Sequence, residues 1–146
     1  MASVDRLEIR GIRSFDDKRT SVIEFSSPVT VIVGYNGTGK TTIVECLKYA
    51  TTGDQPPNTL RGGAFVHDLK MASENEVKAQ VKLRFHAANG ACMTATRNLS
   101  ATNKNGAVSM AKFEGILSCT DAETSGKARA SRYVPAHQLT PCSGVC

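Results

Sequence analysis

The chain has 146 residues, of which 40% are apolar and 21% are charged. This length suits one domain of roughly 100–200 residues with a buried core, and the charged fraction is not that of a disordered chain. No apolar run approaches the roughly 20 residues that a membrane-spanning helix needs. Residues 1–6 also lack the apolar segment of a secretory signal. The composition therefore excludes a membrane span and argues against secretion.

The net charge of +5 comes entirely from residues 61–146, which hold eleven basic and six acidic side chains. Residues 1–60 hold seven of each and are neutral. Because the basic residues are scattered, a solvated surface is favoured over a nucleic-acid patch. The five cysteines form no C-x-x-C pair and no regular framework, which indicates free thiols in a reducing compartment. They are Cys46, Cys92, Cys119, Cys142 and Cys146.

The first half of the chain reads as three strands, a glycine-rich loop and a helix. Strands are predicted over Val4–Arg10 and Ser21–Phe25. A third is predicted over Val29–Val33, whose β-branched run is typical of a strand buried on both faces. The loop covers Gly34–Thr42, and a helix is predicted from about Lys40 to Thr51. The buried stripe of this helix is expected to be Ile43, Cys46, Leu47 and Ala50.

The second half is predicted to form an antiparallel meander with one solvent-exposed face. Gly53 is expected to end the helix, and residues 54–63 are expected to be loop. From Glu76 to Phe85 apolar and polar residues alternate, which predicts a half-buried strand. A hairpin turn at Asn89-Gly90, a returning strand over residues 91–101, a turn at 105–106 and a third strand over 107–113 follow. The pattern fades after about residue 121.

The strongest motif is Gly34–Thr41, which fits the phosphate-loop pattern G-x-x-x-x-G-K-[ST]. A β-branched run precedes it and an amphipathic helix follows, which is the context that this motif requires. Successive backbone N–H groups of such a loop cradle a polyphosphate. Lys40 is expected to reach the β- and γ-phosphates, and the Thr41 hydroxyl to bind Mg²⁺. A glycine turn that merely opens a helix is the less favoured alternative.

Binding phosphate does not complete an NTPase. Hydrolysis also needs an acidic residue on Mg²⁺ and a group that positions water. The chain has no run of four apolar residues ending in an acidic pair, and no N-K-x-D motif, so a Ras-like GTPase is not expected. Two strands before the loop and a meander after it resemble the N-terminal lobe of an ABC-type ATPase head.

Segments on both sides of the loop make the resemblance specific. They are Gly11–Phe15, Glu45–Asp54, Phe65–Asp68 and Val77–Phe85, with a weaker match at 113–117. Over roughly residues 1–118 the chain resembles the N-terminus of the eukaryotic Rad-fifty family, the SMC-like ATPases of the double-strand-break repair complex. The resemblance implies an α/β P-loop NTPase fold, as the N-terminal lobe of an ABC/SMC-type head with a mixed sheet and an antiparallel β subdomain. The lobe would cover residues 1–123, and 124–146 would be a divergent tail.

The resemblance also implies ligands, partners and a setting. The ligands are ATP and Mg²⁺, and the partners are DNA, the Mre-eleven nuclease and a second ATPase head in a homodimer, with no membrane. The location is the nucleus, on the chromosome. The nucleotide-binding residues that it implies are Arg13, Asn36, Gly37, Gly39, Lys40, Thr41, Thr42, Val66 and Asp68, with Thr41 also on the metal. From spacing alone, Arg13 is equally well a solvated loop residue, Val66 a core residue and Asp68 a turn residue.

The family's glutamine loop, coiled coil with zinc hook, signature motif and Mg²⁺-binding acidic pair are not recognisable in this sequence. We therefore expect weak ATP binding and negligible hydrolysis by this chain without a C-terminal lobe. Two alternatives stay open. One is another SMC-like or recombination-mediator ATPase head, and the other is a truncated product that neither binds nucleotide nor folds stably.

Overall fold

In a computed structural model, the chain forms an antiparallel sheet with a helix packed on one face. The structure describes residues 1–57, 64–72, 74–104 and 107–120. Five strands lie side by side in the order β2-β1-β3-β4-β5, and β6 pairs with the other half of β4. The strands are β1 (Ser3–Arg10), β2 (Ser21–Glu24), β3 (Glu76–His86), β4 (Cys92–Lys104), β5 (Ala107–Lys112) and β6 (Ile116–Thr120); the helices are α1 (Lys40–Thr52) and α2 (Leu69–Ala72).

The alternation of apolar residues in β3 is confirmed, and it sets one face of the sheet. The apolar side chains at every second position from Val77 to Leu83 are at most 2% exposed, and Phe85 is partly buried. β3 pairs with β4 without interruption from Glu76↔Thr102 to His86↔Cys92, and the predicted Asn89-Gly90 turn joins them. Register is fixed because a one-residue slip would turn every buried side chain to water.

Helix α1 covers the apolar face of the sheet, as its sequence pattern predicts. Ile43, Cys46 and Ala50 are buried, Leu47 is partly buried, and Tyr49 is also buried. The helix ends at the predicted glycine: Gly53 adopts φ 78°, and its N–H donates to the Tyr49 carbonyl at 2.8 Å. A left-handed residue here satisfies one of the last carbonyls of the helix.

The C-terminus of α1 meets an arginine that the sequence pattern does not single out. Arg97 lies on the helix side of β4, and its Nε reaches the Ala50 carbonyl at 3.5 Å. Its guanidinium lies against Gly53 and Gly115, and a Cβ on Gly115 would overlap it. A cation at this end of a helix is favoured by the helix dipole.

The predicted third strand, Val29–Val33, is wrong. This segment has no regular secondary structure, and Val29, Val31 and Val33 are 71%, 76% and 86% exposed. A β-branched run forms a strand only where a neighbouring backbone accepts and donates its hydrogen bonds. No strand in the described part of the chain runs beside it.

Other expectations differ in smaller ways. All described strand pairings are antiparallel, whereas the resemblance implies a mixed sheet. β4 runs three residues beyond its predicted end, and β6 falls in a segment for which no strand was predicted. The predicted turn at 105–106, residues 58–63 of the predicted loop and the tail 124–146 lie outside the described residues. Neither described helix is long and apolar enough to cross a membrane.

The face of the sheet opposite α1 is polar. Lys78, Lys82 and Arg84 share it, as the alternation predicts. Lys82 Nζ lies 3.5 Å from Glu8 Oε2, and Arg6 Nη2 lies 3.0 Å from Glu8 Oε1. These cations are partly neutralised within the sheet face.

Candidate nucleotide-binding site

The glycine-rich loop enters α1 through two left-handed glycines. Gly37 and Gly39 have φ of 84° and 93°, a region that other L-residues rarely adopt. A Cβ on Gly37 would have no atom within 4 Å, so the space beside this residue is open. Only the positive φ disfavours a larger residue here. The loop therefore leaves room beside its backbone for a ligand.

The N-terminus of α1 carries no group that would compete with an anion. Gly39 is the N-cap residue and has no side chain to cap the helix, and the first turn contains no acidic residue. The first amides of a helix have no intrahelical acceptor, and the helix dipole makes this end positive. This end of α1 can thus accept a phosphate group.

Lys40 folds back over the loop. Its Nζ donates to the carbonyls of Gly34 at 2.5 Å and Tyr35 at 2.8 Å. Thr38 Oγ1 also donates to the Tyr35 carbonyl, at 2.7 Å. The ammonium group is therefore held above the loop, where a phosphate oxygen can replace a carbonyl.

The next two hydroxyl-bearing residues face different surroundings. Thr41 is exposed, whereas Thr42 is 5% exposed and lies against the core. An exposed hydroxyl in the first turn can ligate a hydrated cation, since Mg²⁺ keeps several water ligands. Asn36 is exposed in the loop.

The segment after β1 lies against the start of α1. A Cβ on Gly39 would lie 3.5 Å from Phe15 Cε2, so the phenyl ring borders the helix N-terminus. Arg13 adopts φ 45°, and its Nη2 donates a hydrogen bond to Glu45 Oε1 at 3.2 Å. Arg13 Nη1 lies 2.7 Å from Glu45 Oε2 as an ion pair, although this oxygen accepts no hydrogen bond. The ion pair holds the guanidinium against α1.

Residues 65–67 pair with the same segment. The Arg13 N–H donates to the Phe65 carbonyl at 3.0 Å, and the His67 N–H to the Gly11 carbonyl at 2.9 Å. His67 Nδ1 also contacts the Arg13 carbonyl oxygen. Phe65 is fully buried edge-on to Tyr49, with ring centroids 5.5 Å apart. The loop carrying Arg13 is therefore held by residues 65–67 on one side and by α1 on the other.

Val66 and Asp68 occupy structural positions in this arrangement. Val66 is 3% exposed and forms an isolated bridge with Ile12. Asp68 precedes the single turn of α2: its Oδ1 accepts the Lys70 N–H at 2.9 Å, and its carbonyl accepts the N–H groups three and four residues further on. The structure brings Val66 beside the Arg13 loop and gives Asp68 a capping role.

Sequence reasoning missed two site features. It did not identify Glu45 as the partner of Arg13, because nothing in one sequence links positions 32 residues apart. Nor did it name Phe15 as a site residue, although the ring borders Gly39. Cys46, predicted as core, is fully buried, and this burial raises the pKa of its thiol to about 12.

Comparison with known families gives the class of the protein. A family model described as an AAA domain matches residues 6–131. The chain therefore belongs to the AAA domain family.

Individual relatives are more specific. The chain is 52% identical to the DNA repair protein RAD50 of Saccharomyces cerevisiae over 117 residues, which is 80% of this chain and 9% of that protein. It is 56% identical to RAD50 of Dictyostelium discoideum over 105 residues, 72% of this chain and 8% of that protein. It is 45% identical to RAD50 of Arabidopsis thaliana over 127 residues, 87% of this chain and 10% of that protein. The resemblance to the eukaryotic RAD50 family is thereby confirmed, and the chain spans about a tenth of the length of these relatives.

A more distant match comes from bacteria. The chromosome partition protein Smc of Halothermothrix orenii is 40% identical over 74 residues, 51% of this chain and 6% of that protein. The shared segment is thus common to RAD50 and Smc proteins.

Proposed function

We propose that this chain binds Mg-ATP through residues 34–42, as the phosphate-binding lobe of an SMC-like ATPase head of DNA double-strand-break repair. One observation carries the proposal: α1 opens on two left-handed glycines with neither a side-chain cap nor an acidic residue in its first turn. That arrangement presents unpaired amides and positive potential to an anion. Lys40 already stands over the loop.

Each loop residue has its own role in binding the nucleotide. Lys40 binds the β- and γ-phosphates, while Thr41 ligates Mg²⁺. The backbone of Gly37 and Gly39 cradles phosphate oxygens. Asn36 and Thr42 add polar contacts. ATP supplies a transferable phosphoryl group, and these residues bind and orient it.

Arg13 requires a change of partner to contact the nucleotide. Its guanidinium is paired with Glu45, and both side chains are partly exposed, at 33% and 22%. Because a partly exposed ion pair contributes only about 0–1 kcal/mol, a phosphate can compete for the guanidinium. We place Val66 and Asp68 near the nucleotide through the segment that pairs with this loop.

Hydrolysis is expected to require a second lobe. The sequence holds no signature motif and no acidic pair after an apolar run. The exposed valines of residues 29–33 support the same view, because an apolar β-branched run is suited to pairing with a strand outside the described residues. In this proposal the complete head dimerises with a second head and acts with DNA and the Mre-eleven nuclease on the chromosome, in the nucleus.

Thermal unfolding of the chain with and without Mg-ATP tests the proposal, with Lys40→Ala as the matched variant. Ligand that binds only the folded state raises the midpoint. We expect a cooperative transition that shifts upward for the wild type and not for Lys40→Ala, with no ATPase activity above the variant. An equal shift of the unfolding midpoint in both proteins, or no shift in either, would contradict Mg-ATP binding through residues 34–42. A chain without any cooperative transition would support the alternative of a non-enzymatic product.

A further inference from the structure

A second candidate site lies at the far end of the polar sheet face, among Asp5, His86 and Cys92. Within the part of the chain that the structure describes, their ligand atoms form a group that lies within 4.8 Å of one another. All three residues are partly buried. This site is independent of the nucleotide loop, because it involves none of the residues at 34–42.

Strand geometry brings these side chains together. His86 and Cys92 are direct cross-strand partners in β3 and β4. The adjoining Ala87 N–H donates to the Ala91 carbonyl, so the His86–Cys92 pair takes the next, non-hydrogen-bonded position. Side chains approach most closely at such positions.

A bulge in β1 adds the third side chain. Val4 pairs with Phe85 and Arg6 with Arg84, so Asp5 is the extra residue of the strand. A bulge re-aims the side chain that it carries. Asp5 Oδ1 consequently lies 3.0 Å from His86 Nδ1 on the polar face.

We propose that Asp5, His86 and Cys92 form a binding site for Zn²⁺. A carboxylate oxygen, an imidazole nitrogen and a thiolate are all zinc ligands, with bond lengths of roughly 2.0–2.3 Å. Atoms grouped as closely as these need only small side-chain rotations to reach a common ion. Three protein ligands leave the fourth tetrahedral position to water. The ion would tie the first strand of the chain to the β3–β4 hairpin.

Arg84 is the group that opposes the ion. Its Nε donates to Cys92 Sγ at 3.3 Å and lies 3.8 Å from Asp5 Oδ2. Arg84 is cationic, because a guanidinium group is not deprotonated in proteins. Its side chain is 48% exposed, which allows the guanidinium to turn towards solvent when the ion binds.

Spectroscopic titration with Co²⁺, followed by displacement with Zn²⁺, tests the site in the full chain. The tail thiols are removed in every protein by Cys142→Ser and Cys146→Ser. We expect a thiolate-to-Co²⁺ charge-transfer band that Zn²⁺ abolishes. Cys92→Ser should remove the band, and His86→Gln and Asp5→Asn should each weaken Co²⁺ binding by about tenfold or more.

Two further variants separate loss of a ligand from loss of structure. Cys119→Ser removes a thiol from β6, beside the same end of β4, and should leave the band unchanged. Arg84→Gln should tighten Co²⁺ binding, because it removes a neighbouring positive charge, whereas general destabilisation would weaken it. Absence of the band, its persistence in Cys92→Ser, an equal loss in Cys119→Ser or weaker binding by Arg84→Gln would each overturn the proposal.

Discussion

The sheet and the segment that leads into the glycine-rich loop both contain apolar β-branched residues, but in opposite surroundings. In β3, Val77 and Val81 are fully buried between neighbouring strands and α1. In the segment before the loop, Val31 and Val33 are 76% and 86% exposed. The difference lies in pairing partners: the strands of the meander find theirs within the chain. The preceding valine run has none in the described part of the chain.

This contrast separates the region that stabilises the fold from the region of the candidate ligand site. Burial of apolar surface, about 25 cal/mol per Å², concentrates in the sheet and α1. The loop is held mainly by its own hydrogen bonds and by Phe15. Substitutions in the two regions should therefore differ strongly.

The largest expected difference compares two left-handed glycines. At Gly11, with φ 66°, a Cβ would lie 2.8 Å from the Lys78 carbonyl oxygen, whereas at Gly37 it would meet nothing within 4 Å. We expect Gly11→Ala to lower the free energy of unfolding by about 3 kcal/mol, since overpacking adds to backbone strain. Gly37→Ala should cost about 1 kcal/mol, from strain alone. Urea denaturation measures both, and equal costs would contradict the comparison.

A matched pair of valines tests burial directly. Val81→Ala should lower the free energy of unfolding by about 2 kcal/mol, through lost transfer energy and a residual cavity. Val31→Ala should change it by less than about 0.5 kcal/mol. If denaturant unfolding gave Val31→Ala the larger cost, the run would be packed in solution and its exposed placement would be wrong.

The last expected effect is a pH dependence from Cys46, which is absent near neutral pH. Burial, followed by the charge of Glu45, raises the pKa of its thiol from 9.0 to about 12. The unfolded chain therefore loses this proton first, so the contribution is complete below pH 9 and is lost as pH rises towards 12. Above pH 9 this thiol should lower the free energy of unfolding by roughly 1.4 kcal/mol per pH unit.

Cys46→Ala supplies the control for that slope. The difference between wild type and variant isolates Cys46, because Tyr49, whose pKa burial also raises, is present in both. Parallel pH profiles from chemical denaturation would show that the thiol is not buried.

Local patterns allowed much of the fold to be predicted. The alternation in β3, the stripe of α1 and the glycine at 53 each report on neighbours within a few residues, and each prediction is confirmed. The strand predicted over Val29–Val33 is wrong because a strand also needs a neighbouring strand, and local composition does not show whether one is present. β6 was missed for the converse reason, since its partner β4 imposes an extended conformation on a sequence of weak period.

The candidate site divides in the same way. The glycine-rich entry into α1 could be predicted from glycine and lysine at fixed spacing, whereas phosphate binding there stays a prediction. The Arg13–Glu45 pair and the bulge that turns Asp5 towards His86 depend on tertiary register, so one sequence gave no sign of them. The roles of all nine predicted nucleotide-binding residues stay predictions.

Amide hydrogen exchange of the full chain with and without Mg-ATP tests the central claim most directly, because it reports on the loop and the sheet separately. The account predicts that amides of residues 37–42 become protected on adding Mg-ATP, while those of β3 are slow under both conditions. Lys40→Ala should show the same slow β3 and no change in the loop. Unchanged exchange of residues 37–42 in the wild type, with β3 still protected, would contradict the claim that this folded lobe binds Mg-ATP through its glycine-rich loop.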